Sequence, residues 1–237
     1  MHICFIYHYN SINKEGSEGF MKVEFKNESI EFNVQYGKGQ KLTIHFDSFG
    51  FITVKAPNKT RKETIIEAIE HQGDWILEKK RAFEGKQVTA NHRVYHAEGL
   101  FPYLGKECLL HELIDVEDLD EETLKRNLKK FYFAQCKSLV ETRIKRYEET
   151  LKVKAKTIEI IESRRKWGSC SSDKHLAFNY RLAMAPLPVI DYVIIHELCH
   201  IHHMNHDRSF WRRVGSVMPD FKEKEAYLET YGQAMTL

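Results

Sequence analysis

Between residues 22 and 57 apolar and polar side chains alternate, as at Leu42, Ile44 and Phe46 and again from Phe51 to Val54, with Gly37, Gly39 and Gly50 spaced for turns. A period of two with glycine punctuation predicts a small antiparallel sheet. The period then changes. Thr60 stands three residues ahead of Glu63, the capping-box spacing that opens a helix, and Ile65, Ile66, Ile69, Trp75 and Ile76 follow at helical intervals. That helix is expected to cover the sheet. Residues 84 to 120 hold no clear period, and their glycines at 85, 99 and 105 and the apolar pair Leu109 and Leu110 suit further strands or a connection.

From Glu121 to Thr150 the apolar positions Leu124, Leu128, Phe131, Cys136, Leu139, Ile144 and Tyr147 recur at helical spacing and predict one long helix. The segments TIEIIE (157–162) and LAFNYRLA (176–183) read as strands joined by SRRKWGSCSSDKH, together a hairpin. Pro186 and Pro188 close the strand region and open a helix from about Pro188 to His203, since proline is tolerated in a first helical turn. Asp207 and Asp220 are placed to cap two more helices, the first bearing Phe210, Trp211, Val214 and Val217, the second Ala226, Tyr227 and Tyr231. The expected fold class is α+β. Its parts are residues 1–20, read as a disordered or non-native start with Met21 the more natural beginning; a β-rich region 21–120 with one covering helix; and a region 121–237 that carries the chemistry.

Composition narrows the partners. The 237 residues, 42% of them hydrophobic, can bury one large core or two small ones. Thirty-six Lys and Arg against 34 Asp and Glu leave a formal charge of +2, without the basic excess of a dedicated nucleic-acid binder, so nucleic acid is not expected as a partner. No run of about 18 apolar residues offers a membrane-crossing helix. The N-terminal stretch lacks the basic start and long apolar core of a secretory signal. Five cysteines, odd in number, scattered and without a CxxC pair, read as thiols in a reducing compartment, which makes the cytoplasm the expected location.

His196-Glu197-Leu198-Cys199-His200 is an HExxH motif. On a helix the i, i+4 spacing puts both imidazoles on one face, a turn apart, where one cation reaches both, and Glu197 lies beside that ion as the general base for a zinc-activated water. Shuffling this composition produces roughly 0.07 such motifs per chain, so context has to decide. The motif follows Val193, Ile194 and Ile195 on an apolar helix, where a buried metal helix would present ligands. Catalytic zinc takes three protein ligands and keeps one position open. His206 follows His200 after five residues, and on a continuous helix it would swing about 120° away. The helix must therefore break, for which Met204 and Asn205 are suited. Glu223 or Glu225 on the following helix is the alternative third ligand.

The run WGSCSSDKHLAFNYRLAMAP, then VIIHELCHIHHMNHDRSFW, then MPDF resembles the YgjP-like metallopeptidase family, a relative of the SprT-like and WLM proteases. The earlier ITVKAP, the Trp75 helix and FPYLGKE resemble the family's N-terminal part. The resemblance implies a zincin-like domain, with an active-site helix against a small sheet, behind a β-rich region. It also implies His196, His200 and His206 as ligands of one Zn2+ per chain, followed by Phe210 and Trp211.

Around that site Arg164, Trp167, Tyr192 and Arg208 are candidate substrate-binding residues. Trp167 to Cys170 could wall a substrate lying along a strand edge, or form a tight turn with a buried Trp. Tyr192, His203, Arg208 and Tyr227 are candidates to stabilise charge on the reacting carbonyl. The expected activity is hydrolysis of peptide bonds in a peptide or protein. One alternative is a zinc hydrolase of another bond, such as a nucleotide phosphoanhydride, with the Arg164 to Lys166 cluster holding phosphates. Another is a binding module whose zinc is structural, closed by His202 or His203 as fourth ligand.

Overall fold

The structure, a computed structural model, describes residues 20–46, 50–91 and 93–237, with Phe20 and 83–91 described along the backbone only. Most of the stretch read as a disordered or non-native start, residues 1–19, lies outside these; Phe20 already belongs to a strand. The described residues form two compact units that meet in sequence at Gln87 and Val88.

In the first unit β1 (Phe20–Phe25), β2 (Glu28–Gly37), β3 (Thr43–Phe46) and β4 (Ile52–Pro57) form one sheet in the order β1-β2-β4-β3. It is not the all-antiparallel sheet expected, because β4 inserts between β2 and β3 and runs parallel to β2, pairing Phe32 with Ile52. Alternation reports which face a side chain takes, and that is the same for either strand direction. Val23, Ile30, Phe32, Val34, Ile52, Val54 and Ala56 make the buried face, against which Ile65, Ile69, Ile76 and Leu77 pack.

The covering helix is two helices, α1 (Lys62–His71) and α2 (Gly73–Asn91). The chain restarts at Gly73, where a β-carbon would lie 2.5 Å from the Phe25 ring. Nor does the capping box form. Arg61 occupies the N-cap without a side-chain bond, and the Thr60 hydroxyl donates to the Pro57 carbonyl at 2.8 Å, closing a turn instead.

The second unit opens with the hairpin of β5 (Leu100–Tyr103) and β6 (Lys106–Leu109), then a single turn α3 (Leu110–Leu113) and the long α4 (Glu121–Leu151). The Asp120 carboxylate accepts from the Thr123 amide at 2.7 Å and caps α4. Its buried stripe runs through Leu124, Leu128, Tyr132, Cys136, Val140, Ile144, Tyr147 and Leu151. Phe131 and Leu139, counted in the sequence periodicity, are half-buried, and their neighbours Tyr132 and Val140 take the core. The hairpin belongs with this unit, although sequence periodicity placed it before a boundary near residue 120. Tyr132 donates its hydroxyl to the Pro102 carbonyl at 2.7 Å, and the amides of Leu104 and Gly105 donate to the carbonyls of Ala183 and Met184, both at 3.0 Å. Gly105 has φ +79°, and a side chain there would strike Pro186.

A three-stranded sheet follows, in the order β7-β9-β8, from β7 (Thr157–Ile161), β8 (Gly168–Cys170) and β9 (His175–Asn179). The expected hairpin is absent: β7 and β9 run parallel, and the loop between them contributes β8, antiparallel to β9 at the edge. LAFNYRLA is strand only to Asn179, and Tyr180–Met184 winds into a 3-10 helix.

The helix α5 (Leu187–His200) follows, with Pro186 at its N-cap, and every residue from Val189 to His200 is buried. It packs against α4, β8 and the last two helices, α6 (Arg208–Val217) and α7 (Phe221–Tyr231). One ion pair ties α5 to α4: Arg143 grips Asp191 with two charge-assisted hydrogen bonds, Nε to Oδ1 and Nη2 to Oδ2, each 2.5 Å. Removing one partner of such a pair strands a largely buried charge. Arg143→Ala should therefore cost about 3 kcal/mol of stability, read as a lower urea midpoint at unchanged slope. A loss within the scatter of surface substitutions would show that water replaces the guanidinium.

Candidate metal centre

On α5 the i, i+4 spacing sets His196 and His200 on one face, and both rings are buried. The helix then stops. The amides of Ile201 and His202 turn back to the carbonyls of Leu198 and Cys199 at 3.2 and 3.3 Å, which tightens the last turn. The break expected at Met204 and Asn205 is present, but no residue from 201 to 207 adopts a left-handed conformation. Asp207 caps α6 through the amides of Ser209 and Phe210, at 2.9 and 3.0 Å, and so presents His206, the residue just before it.

These three elements bring His196, His200 and His206 together. The Nε2 atom of His196 is 2.9 Å from Nε2 of His206 and 3.0 Å from Nε2 of His200. Nδ1 of His200 donates to the His203 carbonyl at 2.9 Å, which turns its Nε2 lone pair to the common point. Phe210 is a shared support, with ring centroids 4.7, 4.5 and 4.6 Å from those of His196, His200 and His206. Trp211 borders the outer side of His196 and His206.

A metal fits this set on chemical grounds. Three imidazole lone pairs directed at one point repel unless a proton or cation lies between them. Nitrogens bound tetrahedrally to zinc at about 2.0–2.1 Å stand about 3.3 Å apart, a few tenths of an ångström from the spacing here. The carboxylate of Glu197 supplies the second ground. It is fully buried, and neither oxygen has a hydrogen-bond partner among the described residues. Burial pushes its pKa well above the ordinary carboxylate range, and the charge of Lys166 acts in the opposite direction. A group this dry requires a proton, a cation or a bound water beside it.

Gly168, the first residue of β8, lies against Glu197: a β-carbon there would stand 2.5 Å from Oε1 and 2.8 Å from Cγ. The sheet edge and the HExxH helix thus meet at a position where only glycine fits. Sequence reading placed Gly168 only within the Trp167 to Cys170 segment, as substrate wall or tight turn, and not against Glu197. It passed over Asn179, fully buried, whose side-chain amide donates to the carbonyls of Ser163 and Lys166, both at 2.8 Å, and holds the loop that leads to Gly168. Lys166, in that loop, donates to the Ser169 hydroxyl at 2.9 Å.

The candidate substrate residues separate. Trp167 is only 1% exposed, with Arg181 over its ring at 5.2 Å and Gly232 packed against it, so it forms core behind the loop rather than a substrate wall. Tyr192 is buried too, edge-on to His196 at 5.7 Å. Arg164 and Arg208 are exposed. Glu223 is exposed and Glu225 half-buried, its pKa pushed up to about 7 by burial and by Glu229; neither joins the histidine cluster. His202 is exposed, and Nδ1 of His203 meets the Ser209 hydroxyl at 3.1 Å, so neither supplies the fourth ligand that a closed site needs. Cys108, Cys136, Cys170 and Cys199 are free thiols, and burial pushes the last three up to about 12. Among the described residues no helix is long and apolar enough to cross a membrane.

A family model described as "YgjP-like, metallopeptidase domain" matches residues 40–231. The crystal structure of the metallopeptidase zymogen of Pyrococcus abyssi abylysin is similar over 40% of this chain and 95% of that one, with 24% identity and a TM-score of 0.38. No curated protein matches the chain.

Proposed function

Because the chain belongs to the YgjP-like metallopeptidase family, we propose that it is a zinc-dependent peptidase, with one zinc ion held by His196, His200 and His206 and the proton moved by Glu197. The observation that carries this reading is the convergence of three imidazole Nε2 atoms beside a buried carboxylate that has no hydrogen-bond partner among the described residues. Three neutral nitrogen donors with an open fourth position suit a catalytic zinc. When bound, zinc polarises a peptide carbonyl and lowers the pKa of water towards neutrality.

The other contributions come from the chain. Glu197 takes the proton of the attacking water and delivers it to the leaving amine, its carboxylate being fully buried on the helix that carries His196 and His200. Tyr192 and Phe210 keep the imidazole rings in place from two sides, so Tyr192 acts on His196 rather than on substrate. Strand β8 stands at the sheet edge, where its backbone can pair with an extended peptide and lead it past Glu197. The substrate is then a peptide or an unfolded stretch of protein, and Arg208, exposed two residues beyond His206, is available to the bound chain.

Zinc-loaded protein incubated with a pool of unfolded peptides should generate new termini, identified by mass spectrometry, that a chelator-treated sample does not. Intact peptides from protein carrying one zinc per chain would overturn the reading. Gly168→Ala tests the geometry separately. Its added methyl group must displace the Glu197 carboxylate, and a misplacement of about 1 Å in a catalytic group costs about 10²-fold in rate. The expected result is that loss with zinc content unchanged; full activity would place the working carboxylate elsewhere.

A further inference from the structure

At the end of the three-stranded sheet where β7 and β9 finish lies a cavity of about 590 Å3. Its walls come from the first turns of α4, from the residues just after β7 and β9, and from Tyr95, Thr236 and Leu237. Five cations line it, against the two carboxylates Glu122 and Glu162. Two of the cations are committed: Lys129 pairs with Glu162 at 2.7 Å, and Lys125 with Glu121 at 2.6 Å. Arg181 also lines it, donating to the Ser163 carbonyl at 2.7 Å. Arg126 donates to the Thr123 hydroxyl at 3.1 Å and lies within electrostatic reach of Asp120, whose pKa it helps to lower, while Arg164 pairs with no carboxylate among the described residues. The cavity therefore offers two guanidinium groups, Arg126 and Arg164, that form no direct ion pair among the described residues, beside a third, Arg181, that is half-buried.

Strand register ties this cavity to the metal centre. Gly168, against Glu197, pairs with Phe178, and the next residue, Asn179, donates its amide to the Trp167 carbonyl at 2.8 Å. Tyr180 and Arg181, which line the cavity, follow directly. Arg164 and Gly168 are four residues apart, no more than about 14 Å of chain. A peptide paired with β8 and running on past Gly168 covers that distance in about four residues.

We propose that the cavity is a subsite for an acidic side chain of the substrate, about four residues to one side of the bond cleaved. This rests on the peptidase reading above. Arginine forks accept a carboxylate through paired, charge-assisted hydrogen bonds, and a partly enclosed cavity screens them less than open surface does. An Asp or Glu of the substrate can pair directly with Arg126 and Arg164, and a basic residue at that position is repelled.

The test uses two labelled peptides, alike except for Glu or Gln at that position, the cleaved bond being located by mass spectrometry. With zinc-loaded wild-type protein, kcat/KM should be about tenfold higher for the Glu peptide, mainly through KM. The ratio should fall towards one at high salt and in the Arg126→Ala/Arg164→Ala double variant. Equal kcat/KM in the wild type would overturn the subsite and leave the peptidase standing. If neither peptide is cleaved, their binding to the same zinc-loaded protein, followed by fluorescence anisotropy, decides. Preferential binding of the Glu peptide that the double variant loses would uphold the acidic subsite and retire the peptidase reading; equal binding would overturn the subsite as well.

Discussion

Glu197→Gln should lower kcat by about 10²- to 10⁴-fold while the protein still holds one zinc per chain. The amide keeps the size of the carboxylate, so the close packing against Gly168, where a β-carbon would stand 2.5 Å from Oε1, is undisturbed. It also removes the buried carboxylate that is proposed to take a proton from water and return it to the leaving amine. Glu197 contributes no atom to the three-histidine cluster, so metal affinity should change little. The substitution even replaces a buried ionisable group by a neutral one, and stability should hold or rise. Single-turnover cleavage with a parallel zinc assay separates these outcomes. Undiminished turnover in the zinc-loaded variant would remove Glu197 from the mechanism.

The second large effect concerns the metal itself. His206→Ala takes away one of three converging nitrogens, the one outside the HExxH helix. Losing a partner that merely orients a ligand costs about 10- to 100-fold in metal affinity, and losing the ligand should cost more than that. Zinc titration against a chromophoric chelator at limiting metal should show that drop. The fold should persist without the metal, because His206 is only half-buried and Asp207 still caps α6. Unchanged affinity would mean that the third ligand comes from elsewhere, and Glu225 on α7 would be the next residue to substitute.

The clustering of the three histidines was open to sequence reading because its geometry is largely local. The helical repeat alone puts His196 and His200 on one face. The five-residue gap to His206 demands that the helix end, and the Asp207 cap shows where the next helix begins. The alternation of residues 22–57 likewise predicted a sheet, and the spacing over 121–150 predicted α4. Errors clustered where a local pattern has two tertiary solutions. The Thr60 and Glu63 spacing was a valid capping signature, yet Pro57 claimed the Thr60 hydroxyl. TIEIIE and LAFNYRLA were both strands in part, but β8 emerged from the loop between them and paired at the edge of β9, while β7 joined β9 in parallel.

By itself the amino-acid sequence determined most of the helices and strands, the helical phase of His196 and His200 and much of the core, since each depends on contacts within a few residues. The tertiary structure alone decided strand direction, the burial of Trp167, the meeting of Gly168 with Glu197 and the gathering of Arg126, Arg164 and Arg181 around one cavity. Those depend on groups far apart in sequence, whose approach is set by the packing of whole elements. Periodicity carries no record of which element will be the neighbour.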